Sequence, residues 1–506
     1  MKSSSILLLS LILFLLFFRL GSYGLIETSD ARYSEISLEM ADSGDYITPR
    51  LNGIKHFDKP PLTYWLAATG IRLLGKNEWG TRIFQAVAAC IILIMVFMFT
   101  RRFSNRKDAI YSVIFLAATP IFFGSSHVLT TDLLNSLATT GALFSFFLWY
   151  KNRKFFYLTA FYVIIGISFL IKGPIGLFVV LPVVILFLLS EHNLKALLKM
   201  KLWMFVVSLA IAAPWYIALI KQNPGLFSYL IDNQLLSRLH KGGLGHPRPM
   251  LYYLWIFPSM MFPAVIPAFF HKKIDRVKRF LLIGALWSPL FFSIPATKLP
   301  LYILPSAPFV AILAATSDIN FRKYTGYMTP VIFMLFLSAA VLIHFGISKK
   351  IIYQDQISLL LGSAALLITA FHFTKQFRLI AASYTLIPFI LTILFLKPTI
   401  TGNLKIYKPF MNHISKSDTI VEYHAFVRAI PFYLAHPVKT VGLKQDLNFD
   451  NKKTINRLVV TENDFWKLWQ NKSLKVILNR DNLSRFKRYK ILDSKKKLVL
   501  ISNLRH

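Results

Sequence analysis

The sequence predicts a polytopic α-helical membrane protein with about 13 transmembrane helices, ending in a small α/β domain. Three observations carry that prediction. Of the 506 residues, 55% are hydrophobic and only 16% charged, with a mean hydropathy of +0.52. Apolar blocks recur at lengths that suit a bilayer, which takes about 20 residues of helix to cross. Beyond residue 400 the long blocks stop and short apolar alternations replace them. This balance excludes a soluble enzyme, a secreted disulfide scaffold and a disordered chain. The 45 Phe and 21 Tyr suit lipid-facing and interfacial surfaces.

The apolar blocks fall at 6–25, 83–100, 109–126, 132–150, 155–171, 174–190, 202–220, 251–270, 280–294, 300–316, 326–346, 357–374 and 379–396. The first follows Lys2 like a signal peptide, but it continues through Arg19 to Leu25 without an A-x-A-like site, so an uncleaved anchor is expected. Alternate loops collect the bases. They are Arg101, Arg102, Arg106 and Lys107; Lys151, Arg153 and Lys154; Lys195, Lys199 and Lys201; Lys272, Lys273, Arg276, Lys278 and Arg279; Arg322 and Lys323; and Lys375 with Arg378. With a cytoplasmic N-terminus, the positive-inside rule puts all six clusters on the cytoplasmic side. An odd number of spans then sends the C-terminal segment to the outer, periplasmic face.

Two external loops are long, 27–82 and 221–250. In the first, Ala31 to Met40 reads as a short interfacial helix ending at Ser43-Gly44, with Glu35 and Glu39 on a different face from Ile36 and Met40. Pro60-Pro61 then opens an amphipathic segment from Leu62 to Leu74. Residues 1–400 form the membrane domain in this reading, and 401–506 a separate periplasmic α/β domain. Alternation at 419–423, 438–443, 456–461, 474–479 and 497–502 predicts strands, and 426–434 and 463–471 read as helices. With 21 Lys/Arg against 8 Asp/Glu, this segment suits an anionic membrane surface.

Over the whole chain, 58 Lys/Arg against 23 Asp/Glu give a net charge of +35. The placement of those bases between apolar blocks argues for membrane lipids and against nucleic acid. Cys90 is the single cysteine, so no intrachain disulfide exists.

The outer loops hold the candidate chemistry. Glu27 and Asp30 stand just after the first span, and two carboxylates three apart can share a helical face or hold a cation jointly. Either suits a general base; the plain alternative is helix-start acids, with Asp30 as N-cap. Lys59 is stiffened by Pro60-Pro61, as a phosphate ligand or an interfacial snorkelling lysine. Asp132 opens a span after His127 and Thr131, as a working acid or a helix N-terminal one. Lys172-Gly173-Pro174 breaks two apolar runs, as an anion ligand or a helix stop.

In the second loop, Asn233-Gln234, Arg238, His240 and Gly245-His246-Pro247-Arg248-Pro249 suit phosphate or hydroxyl contacts. Zinc is the lesser alternative, since the spacing matches no standard site. Lys298-Leu299-Pro300 with Tyr302 forms a charged turn before a span, or simply carries a loop lysine. Glu27, Asp30, Lys59, Asp132, Lys172, Arg238, His246 and Lys298 all fall on one side of the membrane in this topology. Bases to neutralise a leaving phosphate, beside acids to accept a proton, suit a reaction on a lipid-linked phosphate.

These motifs carry a resemblance. The stretch Glu27-Thr-Ser-Asp-Ala-Arg-Tyr-Ser-Glu-Ile and the run from Ser43 through Lys59-Pro-Pro to Trp65 resemble the first external loop of the bacterial 4-amino-4-deoxy-L-arabinose transferases and related protein mannosyltransferase-like enzymes. Thr131-Asp132, Ile171-Lys-Gly-Pro-Ile-Gly, Arg238 with His246-Pro247, Thr297-Lys-Leu-Pro-Leu-Tyr-Ile-Leu-Pro and Arg428-Ala-Ile-Pro-Phe-Tyr-Leu-Ala-His-Pro-Val follow in the family's order. The resemblance covers nearly the whole chain.

It implies a GT-C fold and an inverting glycosyltransferase of the bacterial inner membrane. Such an enzyme takes a sugar from a polyprenyl (undecaprenyl) phosphate at the periplasmic face and gives it to lipid A, another envelope glycan or a protein. By the same resemblance, Lys59 and Arg238 bind the donor phosphate, with Lys172 and Arg32 nearby. Asp132 and an acid of the first loop act at the sugar or acceptor, and His246, Lys298 and Tyr302 contact the acceptor. Some relatives bind a divalent metal in the external loops, and no ligands are placed for one here. The chain is taken to act as a monomer. Members often carry adjacent acids before the Ala/Gly-Arg-Tyr, whereas Ser29-Asp30 stands there in this chain, which leaves the base open between Glu27 and Asp30. The rival reading is a transporter or flippase of lipid-linked sugars, which more often shows inverted repeats and broken helices at mid-bilayer.

Overall fold

The computed structural model describes residues 3–229, 247–345, 354–395, 404–415, 417–442 and 458–503. The chain forms two compact units, Met1–Arg19 with Gln85–Thr399, and Leu20–Phe84 with Ile400–His506. This differs from a single cut at residue 400, because most of the first external loop groups with the C-terminal segment.

The first unit is helical, and each of the thirteen apolar blocks lies largely on helical chain, the first leaving its helix at Phe17. Among the described residues, five helices are long and apolar enough to cross a membrane, or six with one bent pair counted as a span. That pair, Arg106–Ala118 and Pro120–Ser126, bends by 71°. The cause is local: Thr119 before the proline is extended (φ −71°, ψ 131°), and Pro120 restarts the helix where its missing N–H costs nothing. The 251–270 block likewise divides into Tyr252–Met261 and Val265–Ala268 around an extended Phe262 before Pro263.

Aromatic rings fill the centre of this unit. Phe99 stacks on Phe144 at 4.0 Å between centroids, and Phe147 on Phe280 at 4.6 Å. Loops that the charge pattern puts on one face are joined by ion pairs. Arg378 meets Asp108 at 2.8 Å, while Arg276 and Arg279 reach Glu191 at 2.5 and 3.0 Å. Helix Phe321–His344 leaves Tyr327, Val331, Met334 and Leu335 exposed, as a lipid-facing surface requires.

The second unit contains a six-stranded sheet in the order β5-β4-β3-β6-β8-β7. Its strands are β3 Ile420–Tyr423, β4 Lys439–Val441, β5 Val459–Val460, β6 Lys475–Asn479, β7 Tyr489–Lys495 and β8 Leu498–Asn503. Pairs β3/β4, β4/β5 and β3/β6 are parallel, and β8 is antiparallel to both β6 and β7. Helices Ala429–Leu434 and Glu462–Asn471 fall within or at the ends of the predicted ranges. Val421, Tyr423, Phe465, Val476, Phe486 and Ile501 lie in the buried core. Strand β7 has no counterpart in the sequence reading. It is a lysine-rich edge strand with a register shift between Ile491 and Asp493, devices that keep an open edge from pairing further.

The external loop of this unit folds as helix Ser29–Ser43, hairpin β1 Arg50–Leu51 with β2 Ile54–Lys55, and helix Leu62–Leu74. Helix Ser29–Ser43 stops at Gly44, whose φ of 73° lets its N–H cap the Met40 carbonyl. Ile36 and Met40 are buried in it, and so is Glu35 from the face that carries the acids. Helix Glu78–Phe103 begins against helix Leu62–Leu74, and Gly70 and Gly80 let the two backbones approach closely.

Candidate functional site

In the second unit, the segment after the hairpin brings two predicted phosphate ligands together around a residue the sequence reading did not single out. Asp58 Oδ2 pairs with Arg32 Nη1 at 3.3 Å, and Asp58 Oδ1 with Lys59 Nζ at 3.2 Å. Lys59 Nζ also donates to the Asp58 carbonyl at 3.3 Å. All three side chains are mostly buried, and Arg32 lies over the Tyr33 ring at 5.1 Å. Two cations share one carboxylate, so the group carries a net positive charge suited to an anion. Pro60 and Pro61 stiffen the backbone on the far side of Lys59, leading into helix Leu62–Leu74.

The hairpin turn is a left-handed pair, Asn52 (φ 55°) and Gly53 (φ 76°). Its two backbone N–H groups donate to Glu35 Oε1 at 2.8 Å and Glu39 Oε1 at 2.6 Å. Burial and the neighbouring Glu39 hold the Glu35 carboxyl well above the usual range. The Asn52 side chain donates to the Val438 carbonyl at 2.9 Å and accepts from the Val438 N–H at 2.7 Å.

Glu27 and Asp30 are held by different partners. Asp30 is fully engaged with Arg82, through contacts of 2.5 and 3.2 Å, and also accepts the Ile26 N–H. Arg82 spends its remaining donors on the Leu20, Tyr23 and Gly24 carbonyls. The N-cap is Thr28 rather than Asp30. Glu27 accepts the Ala429 N–H at 2.9 Å and meets Arg428 at 3.4 Å. Burial pushes the Glu27 carboxyl up to about 7, against the pull of Arg428 and the Ala429 N–H. Each acid therefore has its own structural partner, and neither shares a cation with the other.

The first unit holds a second cluster. Asp132 lies in the first turn of helix Thr131–Asn152, and Lys172 is the last residue of helix Phe155–Lys172. Lys172 Nζ donates to Asp132 Oδ1 at 2.5 Å and sits 4.7 Å from the centre of the Tyr302 ring. An acid at a helix N-terminus and a base at a helix C-terminus complement both dipoles. Lys298 is buried and donates to the carbonyls of Pro295 and Arg248, which braces the corner where Pro247 bridges Thr297. Arg238, His240 and His246 lie outside the described residues.

Asp58, Arg82, Glu35, Glu39 and Arg428 complete these networks and were not predicted. Their signal was weak because each looks like an ordinary loop charge, and only the fold shows that it is buried. Among the described residues no group of three or more His, Cys, Asp or Glu side chains is arranged to hold a metal ion.

Comparison with known proteins agrees with this architecture. Residues 58–217 match the dolichyl-phosphate-mannose-protein mannosyltransferase family model. The chain is 27% identical over 447 residues to an undecaprenyl phosphate-α-4-amino-4-deoxy-L-arabinose arabinosyl transferase of Shewanella sediminis, covering 82% of this chain and 81% of that one. A transferase of the same name from Pseudomonas savastanoi is 27% identical over 321 residues, and the match spans 60% of its length. In structure, the chain is similar to ArnT from Cupriavidus metallidurans bound to undecaprenyl phosphate, with a TM-score of 0.84, 20% identity, and coverage of 100% of this chain and 99% of that one. An Archaeoglobus fulgidus oligosaccharyltransferase gives a TM-score of 0.52 at 13% identity, over 95% of this chain and 69% of that one. The chain is a membrane protein of GT-C fold, similar in sequence to the aminoarabinose transferases.

Proposed function

We propose that this chain is an inverting glycosyltransferase of the bacterial inner membrane. It moves a monosaccharide from undecaprenyl phosphate to lipid A or another envelope glycan or protein. The observation that carries the reading is the end-to-end likeness to a protein solved with undecaprenyl phosphate, coupled with basic groups on the motifs that resemblance singles out. By the resemblance, Lys59, Arg32 and Arg238 are the ligands of the donor phosphate. Lys172 orients Asp132, whose Oδ2 takes the proton of the acceptor hydroxyl. The acceptor oxygen bonds to the anomeric carbon as the bond from that carbon to the phosphate oxygen breaks, and undecaprenyl phosphate departs with both electrons. Tyr302 lines the acceptor side. Asp30 and Glu27 build the loop rather than act as the base. The thirteen spans, a cytoplasmic N-terminus, a periplasmic C-terminal segment and a monomeric enzyme belong to the same proposal.

The test is mass spectrometry of envelope lipids and glycans from cells with the protein, without it, and with Lys59→Ala. A sugar-sized mass missing from one species in both altered strains supports the proposal and names the acceptor. Loss in the deletion alone keeps the enzyme and removes Lys59 from the phosphate site. No difference in any fraction, with the protein present, favours transport over transfer.

A further inference from the structure

Arg32, Glu35 and Glu39 follow one another at spacings of three and four along helix Ser29–Ser43, so they share one face. That face grips the next segment at three points. Arg32 holds Asp58, Glu35 holds the Asn52 N–H and Glu39 holds the Gly53 N–H. Burying a carboxyl group is costly unless hydrogen bonds compensate it, and Glu35 is 1% exposed. These acids are therefore committed to the hairpin turn. From the turn the path to Lys59 is short and firm: the His56 N–H closes the hairpin on the Pro49 carbonyl, and His56 and Phe57 are buried. At the turn, Asn52 reads the Val438 peptide from both sides, 386 positions away in sequence.

We infer that Glu35, Glu39 and Asn52 are positioning residues for the Lys59 loop, and that the C-terminal α/β segment acts on donor binding through the Asn52–Val438 pair. The inference rests on the reading of Lys59 as a donor-phosphate ligand. A helix face that templates the turn, and a distant peptide that clamps it, fix where the ammonium stands. Displacement of about 1 Å in a positioning element can cost on the order of a hundredfold in rate. The alternative is that these bonds only stabilise the fold, in which case their loss lowers stability without a specific effect on the donor.

The experiment uses the full chain in lipid nanodiscs, with undecaprenyl phosphate-4-amino-4-deoxy-L-arabinose as donor and lipid A as acceptor. Glu39→Ala and Asn52→Ala are expected to raise the donor KM about tenfold, with kcat changed less than about twofold. Glu39→Gln should restore KM, because its amide oxygen still accepts the Gly53 N–H. Hydrogen exchange should quicken across residues 50–61 in the alanine variants while strands β6 and β8 keep their protection. An unchanged donor KM in both alanine variants overturns the inference. So does a loss of activity that tracks the thermal midpoint and is not restored by Glu39→Gln. Absence of transfer by the native chain refutes the proposed function instead. In that event hydrogen exchange still decides the positioning claim, which fails if protection of residues 56–61 is the same in every variant.

Discussion

Asp30 and Arg82 form a buried ion pair in which neither side chain has any exposed surface and every Arg82 nitrogen has an acceptor. A buried pair of this kind is expensive to break from one side, since the surviving charge stays in a dry site. Asp30→Asn is expected to cost about 3–5 kcal/mol of stability. It should reduce transfer only as far as it reduces folded protein. Thermal unfolding and activity per folded molecule check this together; native stability with abolished turnover would return Asp30 to the chemistry.

Asp132 and Lys172 are expected to behave as one unit. Asp132→Asn keeps the shape but removes the proton acceptor, and a loss of about 10²–10⁴-fold in kcat is expected. Lys172→Met should lower kcat as well, and the double variant should be little worse than Asp132→Asn alone. A double-mutant cycle in the transfer assay settles it. Independent, multiplying effects would separate the two roles.

Glu27 gives the loop a pH dependence. Its carboxyl is raised from 4.5 to about 7 in the folded chain, chiefly by burial, so folding favours the protonated form. That stability is fully present below pH 4.5 and is lost as pH rises towards 7. The difference is on the order of 3 kcal/mol. The thermal midpoint of the native chain should fall between pH 4.5 and 7, and the Glu27→Gln midpoint should fall less steeply there, the remainder coming from Glu35, whose carboxyl burial also raises. Parallel curves would remove Glu27 as the titrating group.

Gly70→Ala is expected to destabilise the second unit by about 3 kcal/mol, because the new methyl meets the Gly80 carbonyl oxygen, which cannot move aside like a flexible side chain. Gly124→Ala, with open space around its Cβ position, serves as the control. Equal midpoints for the two variants would mean that the helices separate freely at Gly70.

Much of the fold was legible in the sequence because its signals are local. Long apolar blocks, alternating basic loops and short β alternations each depend on neighbours in the chain. Gly44 and Pro60-Pro61 marked helix ends for reasons confined to a few residues. Strand β7 was not legible, since Lys490, Lys495, Lys496 and Lys497 mask a weak alternation that pairing with β8 makes stable. The site divided the same way. Lys59, Asp132 and Lys172 stood out by position and Arg32 by the resemblance, and the structure supplies the pairs. Arg82 and Asp58 did not, because the meaning of a charge depends on what surrounds it in space. Asp30 shows the converse: its motif drew attention to it, and the fold pairs it with Arg82 in a buried site.

The second compact unit takes its parts from both ends of the chain, with the roughly 300-residue stretch Gln85–Thr399 between them. During synthesis the first loop therefore emerges long before β3 and β4 exist. At about 5–20 residues per second, Glu27 and Asn52 wait on the order of 20–80 s for Ala429 and Val438. In that interval an almost complete set of membrane helices is attached to an unfinished loop in which Glu27 and Asn52 still lack Arg428, Ala429 and Val438. Assembly of the donor loop is thus a late event in biogenesis, and a chain truncated before residue 400 would retain every apolar block without ever completing it.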